Sequence, residues 1–348
     1  MLNNTHTNLF DFTRLLASML VILGHSVFIL ASTQHEYLGL ILGVKAIHAS
    51  AVSIFFAISG YLITKSYLQN PATYSYLKNR LLRIIPGLVF LCVVSFILLG
   101  IFFSDVNFTT YCYSNYKYLF NVVLFPEHYK MQNIFTTNSD ANYVNRSLWT
   151  LKYEFVMYLI VLLLGQLSVL KNKLAYLILA LLLLLRLLID FSLINNMELL
   201  VNIHLLPLIE FGTMFFCGVV FYFIRPLITH TITRVFIAVL ISYFLVRFLL
   251  PVSLLRFFVL DILLPFLTLL FCCLKIPYLN NTSKYGDFSY GIYLWGYPVQ
   301  QALASLYQGS IITQNIYLFS LVSIVVTLVF AILSWHLIES FALKFKVK

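Results

Sequence analysis

The sequence predicts an all-α polytopic membrane protein, a bundle of about ten transmembrane helices with both termini in the cytoplasm. The 348 residues are 61% hydrophobic and only 10% charged, whereas soluble domains are nearer half apolar and a quarter charged. Apolar runs of about twenty residues, the length that crosses a bilayer, recur along the chain. The basic residues collect in the short loops between these runs, which is the pattern that orients membrane helices.

The apolar runs set the predicted spans. Helices are expected because lipid offers backbone groups no partner outside their own segment. The predicted spans are residues 9–30, 42–64, 84–103, 148–168, 174–193, 204–224, 232–251, 257–275, 288–308 and 315–338. Arg247, Pro251 and Arg256 interrupt the pattern between two of these spans, so that turn is also compatible with a re-entrant segment.

The distribution of positive charge predicts the orientation. Thirteen of the 22 lysines and arginines fall on one side of the membrane, in short loops or the C-terminal tail: Lys65, Lys78, Arg80, Arg83, Lys171, Lys173, Arg225, Arg234, Lys275, Lys284, Lys344, Lys346 and Lys348. By the positive-inside rule that side is the cytoplasm. The net charge of +10 is therefore explained by the basic loop residues that orient the helices in the membrane. We expect no nucleic-acid partner. The five cysteines show no metal-ligand spacing, and we expect no metal site.

One predicted loop is long. Residues 104–147 lie on the outer side and are rich in Tyr, Asn and Thr, including Tyr111, Tyr113, Tyr116, Tyr118 and Tyr143. Such residues are typical of an aromatic belt at the membrane interface. They would equally suit a lid, or a platform on which a sugar ring stacks.

The first span carries two ionisable residues, Arg14 and His25, in FDFTRLLASMLVILGHS. Eleven residues make about three helical turns, so the two share a face and lie roughly 16 Å apart in depth. Either one alone has an ordinary explanation, an arginine reaching the interface or a histidine bound by a neighbouring helix. Both on one face indicate a site, in which a neutral histidine can act as a general base or an acyl carrier.

Two arginines lie at the cytoplasmic start of the third span. Arg80 and Arg83 are three residues apart and share a helix face. This is compatible with plain positive-inside charge. It also suits a phosphate clamp, because guanidinium groups bind phosphate oxygens in a bidentate manner.

The fourth span opens with SLWTLKYEF, which contains Glu154. The expected depth of Glu154 in the membrane matches that of His25, so His25 could act as a base that the Glu154 carboxylate orients. Alternatively, Glu154 pairs with Lys152 or Arg146 at the interface.

The ninth span opens with DFSYGIYLWGYPVQQ. Tyr290, Tyr293 and Tyr297 fall on one helix face, and Pro298 is expected to kink the helix where it borders a cavity. The three phenols could bind a donor or a sugar, or simply pack between helices.

These four elements, in this order, resemble the acyltransferase-3 family of integral-membrane acyltransferases, which includes O-antigen and other surface-glycan O-acetylases. FFAISGYLITKSYLQNP before the arginine pair and SWHLIESFALKF near the end add to the resemblance. It covers almost the whole chain, so residues 1–348 are expected to form a single integral-membrane acyltransferase domain. One departure is Gly296, where many relatives have a histidine.

The resemblance implies an O-acetyltransferase of the bacterial cytoplasmic (inner) membrane. It implies acetyl or another acyl group taken from acyl-CoA, a donor substrate rather than a tightly bound cofactor. The acceptor would be a hydroxyl of O-antigen, capsule, exopolysaccharide or a related glycan. His25 would be the catalytic histidine with Arg14 as its motif partner, Glu154 the acidic position of the fourth span, and Arg80 and Arg83 the residues at the CoA end.

Two functions from other classes remain compatible with the same residues. A transporter or flippase for a lipid-linked glycan also needs a polar cavity, a kinked helix and cytoplasmic basic residues, although the sequence lacks the repeated halves that transporters often show. A sensor or scaffold subunit would tolerate replacement of His25 and Glu154. Release of CoA from acetyl-CoA by the purified protein would separate the enzyme from both.

Overall fold

The computed structural model describes residues 9–31, 46–200, 202–249 and 254–347. Nearly all regular structure in these residues is helical. The long helices are α1 Phe10–Ile29, α2 Ile47–Gln69, α3 Thr73–Phe102, α4 Leu151–Gln166, α5 Asn172–Asp190, α6 Leu205–Ile228, α7 Ile232–Leu249, α8 Leu254–Cys272, α9 Ser289–Leu306 and α10 Ile316–Ser334. A short antiparallel hairpin, β1 Glu198–Leu200 with β2 Ile203–His204, precedes α6.

Shorter segments complete the chain. They are the helices Phe108–Asn115, Ile311–Gln314 and Ser340–Ala342, the 3₁₀ turns Tyr116–Val123, Arg146–Thr150, Leu279–Tyr285 and Leu343–Phe345, and a π-helical turn at Trp335–Glu339 that directly follows α10. The π turn matters for the site because it sets the direction of a buried carboxylate.

The predicted class, an all-α polytopic membrane protein, is confirmed at the level of helices. Within the described ranges, eight helices are long and apolar enough to cross a membrane. The eight do not include α9, which carries the two amides Gln300 and Gln301. They do not include α8 either, of which Ile262–Cys272 forms a shorter apolar helix.

The boundaries differ from the prediction between the second and third spans. Residues 65–83 were expected to be a loop, but α2 continues to Gln69 and α3 already begins at Thr73. Leu, Lys and Arg are strong helix formers, so the helix extends past the end of the apolar run. The interruption at Pro251, with the re-entrant alternative that depends on it, lies outside the described residues.

The chain divides into two compact units. The first comprises Met1–Ala17, Leu38–Tyr76 and Tyr153–Tyr285. Its helices α2 and α6 approach at backbone distance: a Cβ atom built on Gly60 would lie 1.9 Å from the carbonyl oxygen of Phe215, and one on Gly218 would lie 2.1 Å from that of Ala57. Small residues therefore set this helix contact, as is common in membranes.

The second unit comprises Ser18–Tyr37, Leu77–Lys152 and Gly286–Lys348. Here α9 packs against α10 at Gly291, where a Cβ would lie 2.9 Å from that of Ala331. Polar side chains join α1 to both helices, because Ser26 Oγ lies 2.7 Å from Ser320 Oγ and accepts a hydrogen bond of 2.8 Å from Gln300 Nε2. Such bonds hold membrane helices together where no hydrophobic force does.

The predicted outer loop, residues 104–147, is folded onto the second unit. Tyr111 and Tyr118 are buried, and the Tyr111 hydroxyl donates a hydrogen bond of 2.8 Å to the carbonyl of Phe96 in α3. Tyr113 and Tyr116 are exposed. Two of the five tyrosines therefore anchor the loop, while the exposed pair suits the aromatic belt or the platform.

Candidate functional site

His25 lies in the last part of α1, between Ile22 and Ser26, which both accept hydrogen bonds from Gln300 of α9. It is partly exposed. The ring of Tyr297, on α9, meets the imidazole edge-on, with 5.1 Å between ring centroids and 74° between planes. The adjacent Ser26 is tied to α9 and α10, so the backbone at His25 is held in place.

A polar network extends from Tyr297 into the loop of residues 104–147. The Tyr297 hydroxyl donates a hydrogen bond to the Asp140 carboxylate. Arg146 binds the same carboxylate in a bidentate manner, with Nε and Nη2 each 2.6 Å from an oxygen. Burial opposes ionisation of Asp140, but the bonds from Arg146 and Tyr297 and the charges of Arg146 and Lys130 hold its pKa below the usual range. Asp140 is therefore a carboxylate at neutral pH.

Amide side chains hold this part of the loop on α9. Gln301 Nε2 donates to the carbonyls of Asp140 and Tyr143, each at 2.7 Å. Asn138 in turn donates to the Gln301 carbonyl at 2.9 Å, and Asn145 donates to the carbonyl of Leu294 at 2.8 Å. Because buried amides seek partners, these bonds fix the path of the loop beside Tyr297.

Arg80 and Arg83 lie in the first turns of α3, so the predicted shared helix face is confirmed. Arg83 Nη2 donates a hydrogen bond of 2.6 Å to Asp287 Oδ2, just before α9, and its guanidinium lies 5.7 Å from the centre of the Tyr290 ring. Ser289 Oγ donates to the other oxygen of Asp287 at 2.6 Å. Arg83 is thus held by a carboxylate and an aromatic ring, and the role of both arginines at the CoA end stays a prediction.

A second carboxylate, Glu339, lies close enough to Arg83 and Asp287 to interact with them electrostatically. It is 3% exposed, and its Oε1 accepts a hydrogen bond of 2.6 Å from Ser334. The two residues are five apart, and the π-helical turn between them brings positions at this spacing together. Glu339 Oε2 accepts no hydrogen bond from the described residues.

The three tyrosines of α9 are all hydrogen-bonded through their hydroxyls. Tyr290 donates to the carbonyl of Ile84 at 2.8 Å, and Tyr293 to the carbonyl of Ser147 at 2.8 Å. Tyr297 donates to Asp140. The phenols therefore connect α9 to α3 and to the loop of residues 104–147. Their proposed contact with substrate stays a prediction.

Glu154 belongs to the first unit and lies in the first turn of α4. It accepts hydrogen bonds from Ser59 Oγ at 2.9 Å and from the Tyr158 hydroxyl. Lys152 and Arg146, its alternative partners, bind Glu127 and Asp140 instead. The predicted pairing of Glu154 with His25, which belongs to the second unit, stays a prediction.

Arg14 lies one turn into α1, where it forms an ion pair with Asp11. Helix α1 runs without interruption from Phe10 to Ile29. The predicted helical spacing of Arg14 and His25 is therefore confirmed, while the role of Arg14 stays a prediction.

Comparison with known proteins then decides the class. A family model described as an acyltransferase domain matches residues 8–336. The chain belongs to the acyltransferase-3 family. An O-acetyl transferase of Shigella phage Sf6 is 27% identical over 334 residues, which cover 96% of this chain and 95% of the phage protein. No solved structure gives a significant match. The protein is accordingly an acyltransferase, as the sequence motifs predicted.

The match covers α1 to α10, so it includes all the site residues predicted from the sequence. Gly296, where many relatives have a histidine, has a structural consequence in this acyltransferase. A Cβ atom there would lie 2.9 Å from Ile22 Cγ1 on α1. A side chain at position 296 would therefore require the Ile22 side chain to move.

The sequence analysis missed several residues of this acyltransferase that the fold brings together. Gln300 and Gln301 are adjacent amides in the predicted ninth span, and the cost of placing amides in a membrane could have drawn attention to them. Asp140 lies in a polar loop, where a carboxylate is unremarkable, and Glu339 follows a helix end. For these two no sequence pattern would have indicated the partner.

Proposed function

We propose that this acyltransferase moves an acetyl group from cytoplasmic acetyl-CoA to a hydroxyl of a cell-surface or lipid-linked carbohydrate. In this proposal the chain forms ten spans in the bacterial cytoplasmic membrane, with both termini in the cytoplasm. The positive charge of one set of loops supports that orientation. The observation that carries the proposal is the partly exposed His25, held on a membrane helix by Tyr297 and the bonds of Ser26.

The chemistry needs a base. The acceptor oxygen attacks the thioester carbonyl, an O–C bond forms and the C–S bond breaks. His25 takes the hydroxyl proton and returns it to the departing thiolate, so the products are an O-acetyl ester and CoA thiol. In the covalent route an imidazole nitrogen of His25 attacks the thioester carbonyl, so that an N–C bond forms, the C–S bond breaks and the CoA thiolate leaves. The acceptor oxygen then attacks the acetyl carbon, an O–C bond forms and the N–C bond breaks, and the hydroxyl proton ends on the thiolate.

Two basic residues of α3 support a binding site for the CoA part of the donor. Arg80 and Arg83 lie in the turns of α3 that precede its apolar run, in the same unit as His25. Guanidinium groups bind phosphate oxygens through several parallel hydrogen bonds. We assign the phosphates of CoA to this end of the second unit.

Buried polar atoms support a path for the pantetheine arm. Within the described residues, four atoms of α9 and α10 are buried and make no hydrogen bond: Trp295 Nε1, Gln300 Oε1, Ser323 Oγ and Thr327 Oγ1. Such atoms are costly in a membrane unless a ligand or water binds them. Pantetheine carries two amide groups, which are suitable partners.

The phage relative supports the choice of acetyl and of an oxygen acceptor, because it is an O-acetyl transferase. The folded outer loop lies beside Tyr297 and presents Tyr113 and Tyr116 to solvent. We place the carbohydrate beneath this loop, on the outer side of the membrane.

The test uses the source organism deleted for this chain and complemented with wild type, His25→Ala or His230→Ala. His230 is an exposed histidine in the turn before α7 and serves as the matched control. The measurement is base-labile acetyl on surface polysaccharide by mass spectrometry, at equal membrane expression. We expect esters with wild type and His230→Ala, and none with His25→Ala.

Two results would contradict the proposal. Unchanged ester content in all strains, with altered export or length of the polymer, would favour a transporter. Full ester content with His25→Ala would remove His25 from the chemistry.

A further inference from the structure

Tyr297 connects His25 to a carboxylate that no sequence motif indicates. The Tyr297 ring meets the His25 imidazole edge-on, and the Tyr297 hydroxyl donates a hydrogen bond to the Asp140 carboxylate. All three residues belong to the second unit. Asp140 therefore reaches the imidazole through one intervening side chain.

In this series of contacts, the Asp140 carboxylate is held firmly in place. Arg146 holds both oxygens of Asp140 at 2.6 Å, and Gln301 holds the Asp140 carbonyl at 2.7 Å. A bidentate arginine fixes the plane of a carboxylate as well as its position. The Asp140 carboxylate, which accepts the hydrogen bond of the Tyr297 hydroxyl, therefore has a defined position relative to α9.

The tyrosine end is equally constrained. Tyr297 is 1% exposed, and a buried phenol requires a hydrogen-bond acceptor. An ionised acceptor makes that bond stronger and more directional than a neutral one. The bond keeps the Tyr297 ring in one orientation, and the edge-on contact limits how the His25 imidazole can turn.

We infer that Asp140 is a positioning residue of the acyl-transfer site, which holds the His25 imidazole in its working orientation through the hydroxyl of Tyr297. Asp140 touches no substrate in this scheme. The inference rests on the proposed function for its kinetic consequence, although the orientation of His25 can be measured without it.

The kinetic experiment compares Asp140→Asn, Tyr297→Phe and the double variant with Asp105→Asn. Asp105 lies in the same loop and accepts a hydrogen bond from Thr136, so its substitution is a matched control. Membrane vesicles of the deletion strain carrying each full-length variant receive radiolabelled acetyl-CoA, and label in the glycan fraction is counted.

We expect each single variant to lower kcat about tenfold and the double variant no further, because all three break one connection. The KM for acetyl-CoA should stay within about twofold of wild type, since the donor phosphates bind elsewhere. A double variant about a hundredfold slower would mean that the two residues act independently, and would overturn the inference. So would a wild-type kcat for Asp140→Asn.

A second readout does not depend on activity. Diethyl pyrocarbonate modifies accessible imidazoles, and mass spectrometry of peptides reports the rate at His25 alone. We expect a several-fold faster reaction at His25 in Asp140→Asn and Tyr297→Phe and no change in Asp105→Asn. An unchanged rate in the first two variants would overturn the positioning role. Absence of transferase activity in wild type, with the faster labelling still present, would refute the proposed function and leave the connection intact.

Discussion

Arg83 of α3 donates a hydrogen bond of 2.6 Å to Asp287, 204 positions later in the chain. Asp287 also accepts bonds from the side chain and backbone N–H of Ser289, so one carboxylate joins the beginning of α9 to α3. A guanidinium has five N–H donors. Arg83 can therefore hold Asp287 and still offer donors to a phosphate, which an ammonium group cannot do with the same geometry.

The variant Arg83→Lys tests that dual role. We expect the KM for acetyl-CoA to rise about tenfold with kcat little changed, because the lost contacts bind the donor rather than the transition state. Arg234→Lys, an exposed basic position at the start of α7, is the control. The KM is measured from initial rates in membrane vesicles at varied concentrations of acetyl-CoA. An unchanged KM would show that Arg83 does not contribute to binding of the donor.

Two glycines of α6 should respond very differently to alanine. A Cβ at Gly218 would lie 2.1 Å from the Ala57 carbonyl oxygen, whereas one at Gly212 meets Met157 Cε at 3.4 Å, an ordinary contact. We expect Gly218→Ala to separate α2 from α6 and to lower the thermal midpoint in detergent by more than about 5 °C. Gly212→Ala should leave it within about 2 °C. Equal midpoints would contradict the close backbone contact.

The charge of Glu154 can be removed with little change in shape. Glu154→Gln keeps an acceptor oxygen for Ser59 and Tyr158. If the carboxylate takes part in the chemistry, as the acidic position of the fourth-span motif implies, kcat should fall about tenfold to a hundredfold at normal expression. Tyr158→Phe, which removes one donor and keeps the charge, should cost much less. Equal activity of Glu154→Gln and wild type would limit Glu154 to a structural role.

The depressed pKa of Asp140 predicts a pH-dependent contribution to stability. A carboxyl whose pKa is lower in the folded state stabilises that state at every pH above its ordinary value, about 3.9. That contribution disappears as the pH falls through the folded-state pKa. The thermal midpoint of wild type should therefore exceed that of Asp140→Asn at pH 7, and the difference should shrink below about pH 4. A constant difference from pH 7 to pH 3 would show that the charge is not involved.

Most helices could be predicted because their signal is local. The uninterrupted apolar run of α1 and the position of Arg14 and His25 on it follow from hydropathy and helical spacing alone. The family could be predicted as well, since its motifs are short and keep their order. The start of α3 at Thr73 was missed, because lysine and arginine end an apolar run without ending a helix.

The partners of polar side chains could not be predicted in the same way. Arg146 was considered as a partner of Glu154, but the folded loop places its guanidinium on Asp140. Tyr297 was predicted to share a face of α9 with Tyr290 and Tyr293, yet nothing in the sequence indicated its acceptor, which comes from a loop 157 positions earlier. Such pairs depend on the path of a loop, and composition does not encode that path.

The amino-acid sequence alone predicted a helical membrane protein, because lipid allows a spanning backbone to bond only within its own segment and long apolar runs make that visible. The acyltransferase activity followed from the resemblance of its motifs to a family, which the family model bears out. Tertiary structure decided that Arg83 would meet Asp287, and that Arg146 and Tyr297 would meet Asp140. A hydrogen bond requires its two atoms within about 3 Å, and residues such as His25, Tyr297 and Asp140 reach their contacts only after three separate parts of the chain have packed together.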